Sequence, residues 1–316
     1  MKFFIFIFFL FVSLSTCSQE KFSQEISLIT DNDLYVSSFK DRYYTSGIFL
    51  TYRQLLNSKN NLLDKRIYEW QIGHKMYTPY KSVVNSPLEH DRPFAGYLYA
   101  GFGMIRAYKN YQILKTSLQV GVIGSNSFAR ELQEFIHNIY DFRKATGWKY
   151  QIKKAFGLNF NTNYLKTVVN SKKKYFDISW INSLNLGSVI TNTSSGFYTR
   201  IGFIPLQKST NSIAFNTNLN NKHTNYFRET ESFLYVKSML NYVFYDATLQ
   251  GSFLNTTSPI TKKIKPLILD IEIGLKFTIN RLNFGYVFIY NTKKSEGLRY
   301  KYGEQYGRIT INYSLP

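Results

Sequence analysis

From about residue 22 to the C-terminus, the chain alternates apolar and polar residues with a period of two. Arg308 to Leu315 is the clearest stretch. Ile309, Ile311, Tyr313 and Leu315 share one face, while Arg308, Thr310, Asn312 and Ser314 share the other. Leu282, Phe284, Tyr286 and Phe288 repeat the pattern within Arg281 to Tyr290. In Tyr44 to Tyr52, the same rule sets Tyr44, Ile48, Leu50 and Tyr52 on one face and Tyr43, Thr45, Gly47 and Thr51 on the other. Successive side chains of a strand point to opposite faces, so these segments imply a sheet with one apolar and one polar side. Similar segments lie near 22–32, 66–78, 93–107, 111–123, 150–167, 174–190, 196–204, 232–247 and 267–279. That makes about twelve strands, mostly nine residues or longer, whereas a soluble sandwich uses strands of about five or six. The expected fold is all-β: a transmembrane antiparallel β-barrel of about twelve strands with one short extracellular-loop helix. Composition agrees. Mean hydropathy is only -0.25 although 44% of residues are hydrophobic, so apolar residues are interleaved rather than gathered into spanning helices.

The first residues read as a targeting segment. Lys2 supplies a short charged region, Phe3 to Val12 is an almost unbroken apolar run, and Ser13 to Ser18 is small and polar. Residues 1–18 are therefore expected to be a signal peptide, and 19–316 a single outer-membrane barrel. Cys17 is the sole cysteine. Lipidation there is an alternative, because LSTC matches a lipoprotein cleavage site imperfectly. Cleavage after Cys17 or Ser18 leaves no disulfide, so a hydrogen-bond ladder and packing must hold the fold. The formal net charge is +19. Export argues against nucleic acid as the partner. An anionic membrane surface or a phosphorylated lipid fits better, and Lys-rich solvated loops explain much of the excess.

Polar stretches separate the strands: Asn57 to Asn61, Ser171 to Lys174, Asn192 to Ser195, and Lys208 to Arg228, the last expected to be an exposed loop. One segment departs from the alternation. Ser127 to Phe142 reads SFARELQEFIHNIYDF, with Phe128, Leu132, Phe135 and Ile139 at helical spacing. Arg130, Gln133, His137 and Tyr140 fall on another face, with Gln133 and His137 one turn apart. A histidine and an amide presented together by a lone helix make a candidate site; the bland alternative is a helix that caps a loop.

Standard nucleophile motifs are missing. The chain has no Gly-x-Ser-x-Gly, no zinc-type His/Cys cluster and no phosphate-binding glycine loop. None of His74, His90, His137 and His223 has a serine two residues later, which disfavours the outer-membrane phospholipase arrangement. What remains is Asp31, Asn32 and Asp33 at the end of the first strand, with Thr45 on the polar face of the second. Carboxylate and carbonyl oxygens at a rim suit calcium; the same residues also favour a plain turn. A histidine without a serine can still deprotonate water, with a nearby cation taking the oxyanion charge.

The runs DNDLYVSSFKDRYYTSGIFLTYR, HDRPFAGYLYAG and GVIGSNSFARELQEFIH, followed by GWKYQ and later LQGSFL, resemble the lipid A 3′-O-deacylase family of outer-membrane barrels. The resemblance covers most of the chain. It places the family's Asn-Asp pair on Asn32 and Asp33, its threonine on Thr45, and its helical Gln and His on Gln133 and His137. It implies a twelve-stranded barrel with a site near the outer rim between wall and loop helix. It also implies calcium (Ca2+) dependence and removal of the 3′-linked acyloxyacyl group of lipid A. Arg143 and Ala145 depart from the pattern, where the family prototype carries Glu and Tyr. Lys81 is the best match to a basic pair after the third strand.

The expectation is thus a calcium-dependent esterase with His137 as general base. Asp33 is the expected metal ligand, Asn32 and Thr45 shape the site, and Gln133 orients the helix face or substrate. Lys81 and Arg92 are the candidate contacts to lipid A phosphates. For Arg92 the competing reading is structural, an Asp-Arg pair and a Pro-fixed backbone opening a strand in Asp91 to Gly96. The expected surroundings are lipopolysaccharide and the lipids of a Gram-negative outer membrane, with the protein a monomer. The rival readings are a passive channel, a catalytically silent barrel and a phospholipase-type acyl hydrolase.

Overall fold

The computed structural model describes residues 21–316 apart from 37–41, 59, 85 and 227. The segment 1–18 expected to be a signal peptide, with Cys17, lies outside the described residues. Twelve strands follow one another: β1 (Gln24–Asn32), β2 (Tyr43–Leu56), β3 (Leu63–Thr78), β4 (Ala95–Tyr108), β5 (Gln112–Ile123), β6 (Ala155–Asn170), β7 (Phe176–Gly187), β8 (Ile190–Gly202), β9 (Ser232–Asp246), β10 (Leu267–Ile279), β11 (Leu282–Asn291) and β12 (Glu304–Leu315). Helix α1 (Ala129–Ile139) sits in the β5–β6 loop. The one-turn α2 (Ala247–Gln250) follows β9, a second helix where the sequence suggested one. Each strand pairs antiparallel with its neighbours, and β1 closes the barrel on β12 from Gln24↔Leu315 to Asn32↔Gly307. No helix among the described residues is long and apolar enough to cross a membrane.

The alternation sorts side chains as a membrane wall requires. Trp70, Ile72, Leu118, Val120, Phe156, Leu158, Tyr286 and Ile311 are exposed on the outside. The lumen holds charge that is paired: Arg53 bridges Glu25 and Glu69 at 2.7 Å each, and Lys115 reaches Glu69 at 2.6 Å. Buried charges of this kind are tolerated because each of these four has an opposite partner.

Three expectations need correction. Asn192 to Ser195 is not a turn but part of β8, and the β7–β8 connection is made at Ser188–Val189. Tyr44 does not share the outward face of Ile48. A bulge between Tyr44 and Ser46 resets the parity, so Tyr44 turns inward, donates to Asp31 Oδ2 at 2.9 Å and packs its ring against Tyr77 and Tyr306. The Lys208 to Arg228 stretch is not an exposed loop. It folds back into the barrel at the rim that holds both termini. Leu206, Ile213 and Leu219 pack against inward side chains of strands from β2 to β11, including Leu55, Ile67, Ile105, Ile181 and Ile289. Lys65 Nζ donates to Asn211 Oδ1 and to the Thr217 carbonyl, and buried Arg200 pairs with Asp177 and Glu231. Ser, Thr and Asn make the loop look solvent-loving, but a polar lumen satisfies them equally well. This plug fills the lumen at that end, against the passive-channel reading.

The opposite rim carries the β1–β2, β3–β4, β5–β6, β9–β10 and β11–β12 loops and, by the usual asymmetry of such barrels, is the extracellular one. The observed parity predicts that Ile311→Arg, on the lipid face, costs roughly 2–4 kcal/mol if it lies near the midplane. Thr310→Arg, facing the lumen, should cost clearly less. Equilibrium urea unfolding in vesicles would measure both, and equal losses would contradict the sidedness.

Candidate active site

The expected site residues lie on the outside of the wall near the extracellular rim, in two groups at the two ends of a row of outward residues. Asp31 points into the lumen, where both its oxygens take the Arg308 guanidinium at 2.7 and 2.9 Å. Strand parity therefore turns the next residue, Asn32, outward. Cross-strand register aligns Asn32 with Ser46, Ser46 with Met76, and Met76 with Gly96. At about 4.8 Å per strand, this row spans about 14 Å of outer wall.

At one end of the row, the chain leaves β1 in a 3-10 turn (Asp33–Val36) that folds over β12, and Tyr286 of the next strand, β11, donates its hydroxyl to the Tyr35 carbonyl at 2.8 Å. The Asn32 side chain caps this turn, its Oδ1 accepting from the Leu34 amide at 2.7 Å. The turn reading of Asp-Asn-Asp is thus correct as geometry. It also leaves Asp33 fully buried, with its Oδ2 accepting the Arg42 amide at 2.8 Å. Thr45 shares a 2.7 Å hydroxyl contact with Thr78. Tyr77 points into the lumen, so Thr78, and Thr45 with it, belong to the outer side. The bulge that turned Tyr44 inward moves Thr45 from the expected lumen-polar face to the wall's exterior.

At the other end, α1 lies on the outer face of β3 and β4. Its seat is Gly96, where a Cβ would collide with Ser127 Oγ and Ala129 Cβ. His74 Nε2 contacts the Ser127 carbonyl at 3.0 Å, and Met76, Phe94, Ala129, Ala145 and Trp148 pack between helix and wall. Gln133 and His137 are the helix residues turned toward the wall, at 3% and 7% exposure. Trp148 Nε1 donates to Gln133 Oε1 at 2.6 Å, which fixes the amide. His137 Nδ1 lies 2.8 Å from the Arg143 carbonyl. A carbonyl can only accept, so Nδ1 carries the proton and Nε2 is the basic nitrogen. The Phe142 ring stands edge-on to the imidazole at 5.6 Å.

The two departures from the family pattern have clear positions. Residue 143 supplies its backbone carbonyl to His137, a role indifferent to side-chain identity, while the Arg143 side chain points to solvent. Ala145 fills the apolar seat beside Trp148.

Lys81 is exposed in the β3–β4 loop at the same rim. Arg92 is elsewhere. It is 2% exposed inside the barrel mouth, with hydrogen bonds to the Thr248 carbonyl and hydroxyl at 3.3 Å, a 3.8 Å ion pair to Glu304 and its guanidinium over Tyr77. Its expected contact with a lipid phosphate is corrected: these internal partners make Arg92 a structural tie between β4 and α2. Asp91 is a second tie, accepting from Tyr43 Oη and the amides of Tyr80 and Arg299. His74, Met76, Gly96 and Trp148 build the site floor and were not singled out as site residues from sequence. Gly96 closing the FAG run was the one readable hint of a close approach.

The model of the family described as outer membrane protein LpxR matches residues 3–315. The chain belongs to the LpxR family. These are the lipid A 3′-O-deacylases of the outer membrane. The fold agrees with the solved structure of LpxR from Salmonella typhimurium at a TM-score of 0.73 and 19% identity, covering 92% of this chain and 100% of that one. The β domain of the Bordetella autotransporter BrkA is more distant, with a TM-score of 0.48 and 9% identity over 94% of this chain and 100% of that one. No curated protein matches the sequence.

The seat of α1 yields a prediction. Gly96→Val should lift the helix from the wall and lower deacylation roughly 10²-fold, because small displacements of positioning groups are costly. The barrel should stay folded and heat-modifiable. Gly101→Ala, whose Cβ would meet only ordinary contacts, is the matched control. Unchanged activity in Gly96→Val would show that the helix does not need this seat.

Proposed function

We propose that this chain hydrolyses the 3′-linked ester of lipid A, releasing the acyloxyacyl group and leaving a free 3′-hydroxyl. The observation that carries the reading is the buried His137 of α1, anchored through Nδ1 and set on the lipid side of the wall rather than in the lumen. A substrate held in the outer leaflet meets that side directly. Leu28, Ile48 and Leu50 line the outer wall below Asn32 and Ser46, and an acyl chain can lie along them.

In this mechanism His137 Nε2 takes a proton from water as its oxygen attacks the ester carbonyl carbon. The tetrahedral intermediate collapses, the bond to the sugar 3′-oxygen breaks, and the imidazolium returns the proton to that oxygen. Gln133, held by Trp148, orients the helix face or the substrate, and Asn32 and Thr45 shape the floor. The donor chemistry fits calcium, which favours hard oxygen ligands: Asp33 offers a buried carboxylate, and the Thr30 and Tyr286 hydroxyls and the Tyr35 carbonyl lie at the turn. No group of three or more His, Cys, Asp or Glu side chains gathers among the described residues, so neutral oxygens would complete the set. When bound, calcium supplies positive charge for the developing oxyanion. Residues 1–18 act as the export signal, and a barrel closed by one chain supports a monomer.

His137→Ala should reduce deacylation by about two to four orders of magnitude with the barrel intact. Mass spectrometry of lipid A from cells carrying either form reads the outcome, and wild-type product from the variant would remove the general base. Excess chelator should abolish turnover and calcium should restore it, while Asp33→Asn should raise the calcium concentration required. Full activity of metal-stripped protein would exclude the ion. Lys81→Ala should weaken capture of the phosphorylated substrate and flatten its salt dependence, with turnover at saturation retained. A fall in the saturated rate as deep as that of His137→Ala, with binding unchanged, would instead make Lys81 part of the reaction.

A further inference from the structure

Helix α1 is mounted with its polar residues inward. Gln133 and His137 face the wall together with Ala129 and the partly buried Leu132, while the rest of the apolar stripe points away: Phe128, Phe135 and Ile139 are 61%, 63% and 61% exposed. Tyr140 and Phe142, stacked at 5.8 Å just after the helix, extend the same exposed patch. A water-soluble surface does not leave a row of large apolar side chains uncovered without a partner.

Position along the barrel says what covers it. The outward residues of β3 run Tyr68, Trp70, Ile72, His74 and Met76. Tyr68 and Trp70 cluster with Phe102 at 5.4 and 4.6 Å, the kind of aromatic group that marks a membrane interface. From Tyr68 to Met76 the strand advances about 26 Å at about 3.3 Å per residue. At a tilt of about 40° this is about 20 Å along the membrane normal, within an apolar band about 25 Å tall. Met76 and Gly96, the seat of α1, are thus near the upper end of the band but still within it. The exposed helix face stands on the same outer side of the wall as the exposed, lipid-facing Ile72, Val120 and Phe156. On the far side of the site, Leu34 and Tyr35 also present exposed apolar surface.

We propose that α1 is an interfacial membrane helix, with Phe128, Phe135 and Ile139 inserted among the upper acyl carbons of the outer leaflet. Its partner is the acyl-chain layer itself. Amphipathic helices lie in the interface with this kind of apolar face down. Here the helix is also clamped to a barrel, so its polar face meets protein rather than water. Arg130, Glu131 and Glu134 remain on an exposed flank, paired among themselves at 3.4 and 3.8 Å. This inference is independent of the reaction proposed above.

The test is a depth measurement. In a Cys17→Ser background, Phe135→Cys and Ile139→Cys are labelled with an NBD fluorophore and the full barrel is reconstituted in phosphatidylethanolamine–phosphatidylglycerol vesicles. Ile311→Cys is the lipid reference and Glu296→Cys, in the exposed β11–β12 loop, the water reference. Acyl-brominated lipids should quench labels at 135 and 139 several-fold more than the label at 296, most strongly with bromines near the headgroup end. Aqueous iodide should quench them several-fold less than the label at 296. Iodide quenching equal to that at 296 would overturn the proposal. Protection from both quenchers would also overturn it, because the face would then be covered by protein, as in contact with a second copy.

Discussion

Closure of the hydrogen-bond ladder is the constraint on which the rest depends. In hydrocarbon an unpaired backbone amide finds no water, so a sheet can span a bilayer only if its first and last strands meet. The β1–β12 pairing supplies that meeting over nine residue pairs, Gln24↔Leu315 to Asn32↔Gly307. Once the ring is closed, each strand has one lipid face and one lumen face, and the period-two pattern becomes obligatory. The lumen can then hold Arg53 between Glu25 and Glu69, and Arg308 against Asp31, because the charges are matched within the wall itself.

Closure also explains the two loop arrangements. A polar lumen is a suitable solvent for Ser, Thr and Asn, so the β8–β9 loop enters it, pins itself through Lys65, Arg200 and Glu231, and leaves the terminal rim filled. At the other rim the loops knit over the mouth through Asp91 and Arg92. With the interior occupied at one end and tied at the other, the outer face of the wall is the surface a lipid can reach. The candidate site residues lie there.

The wall and α1 divide the labour of the site. The wall provides a fixed row across β1 to β4, and the helix delivers Gln133 and His137 to it. The second contacts of those two side chains come from Trp148 and from the carbonyl of residue 143. A backbone carbonyl imposes no demand on its side chain, which is why Arg143 is compatible with a fixed imidazole at His137.

The sequence by itself determined the strands, their number and their sidedness, because alternation is a local property that the two faces of a membrane wall read directly. It also marked the helix and the five polar residues Asn32, Asp33, Thr45, Gln133 and His137. Tertiary structure decided what local pattern cannot encode. The bulge at Tyr44 shifted parity by one residue and carried Thr45 outside. The polar β8–β9 loop could satisfy its groups in water or in the lumen, and only the closed barrel supplied the lumen. Arg92 looks the same in sequence whether it meets a phosphate or Glu304, and distant strands chose the latter. The amphipathic helix had a polar and an apolar face, but which one turned to the wall depended on what lay beyond it. The seat at Gly96, Met76 and Trp148 takes only one side of the helix, so Gln133 and His137 turn to protein with Ala129 and Leu132, and Phe135 and Ile139 stay outside.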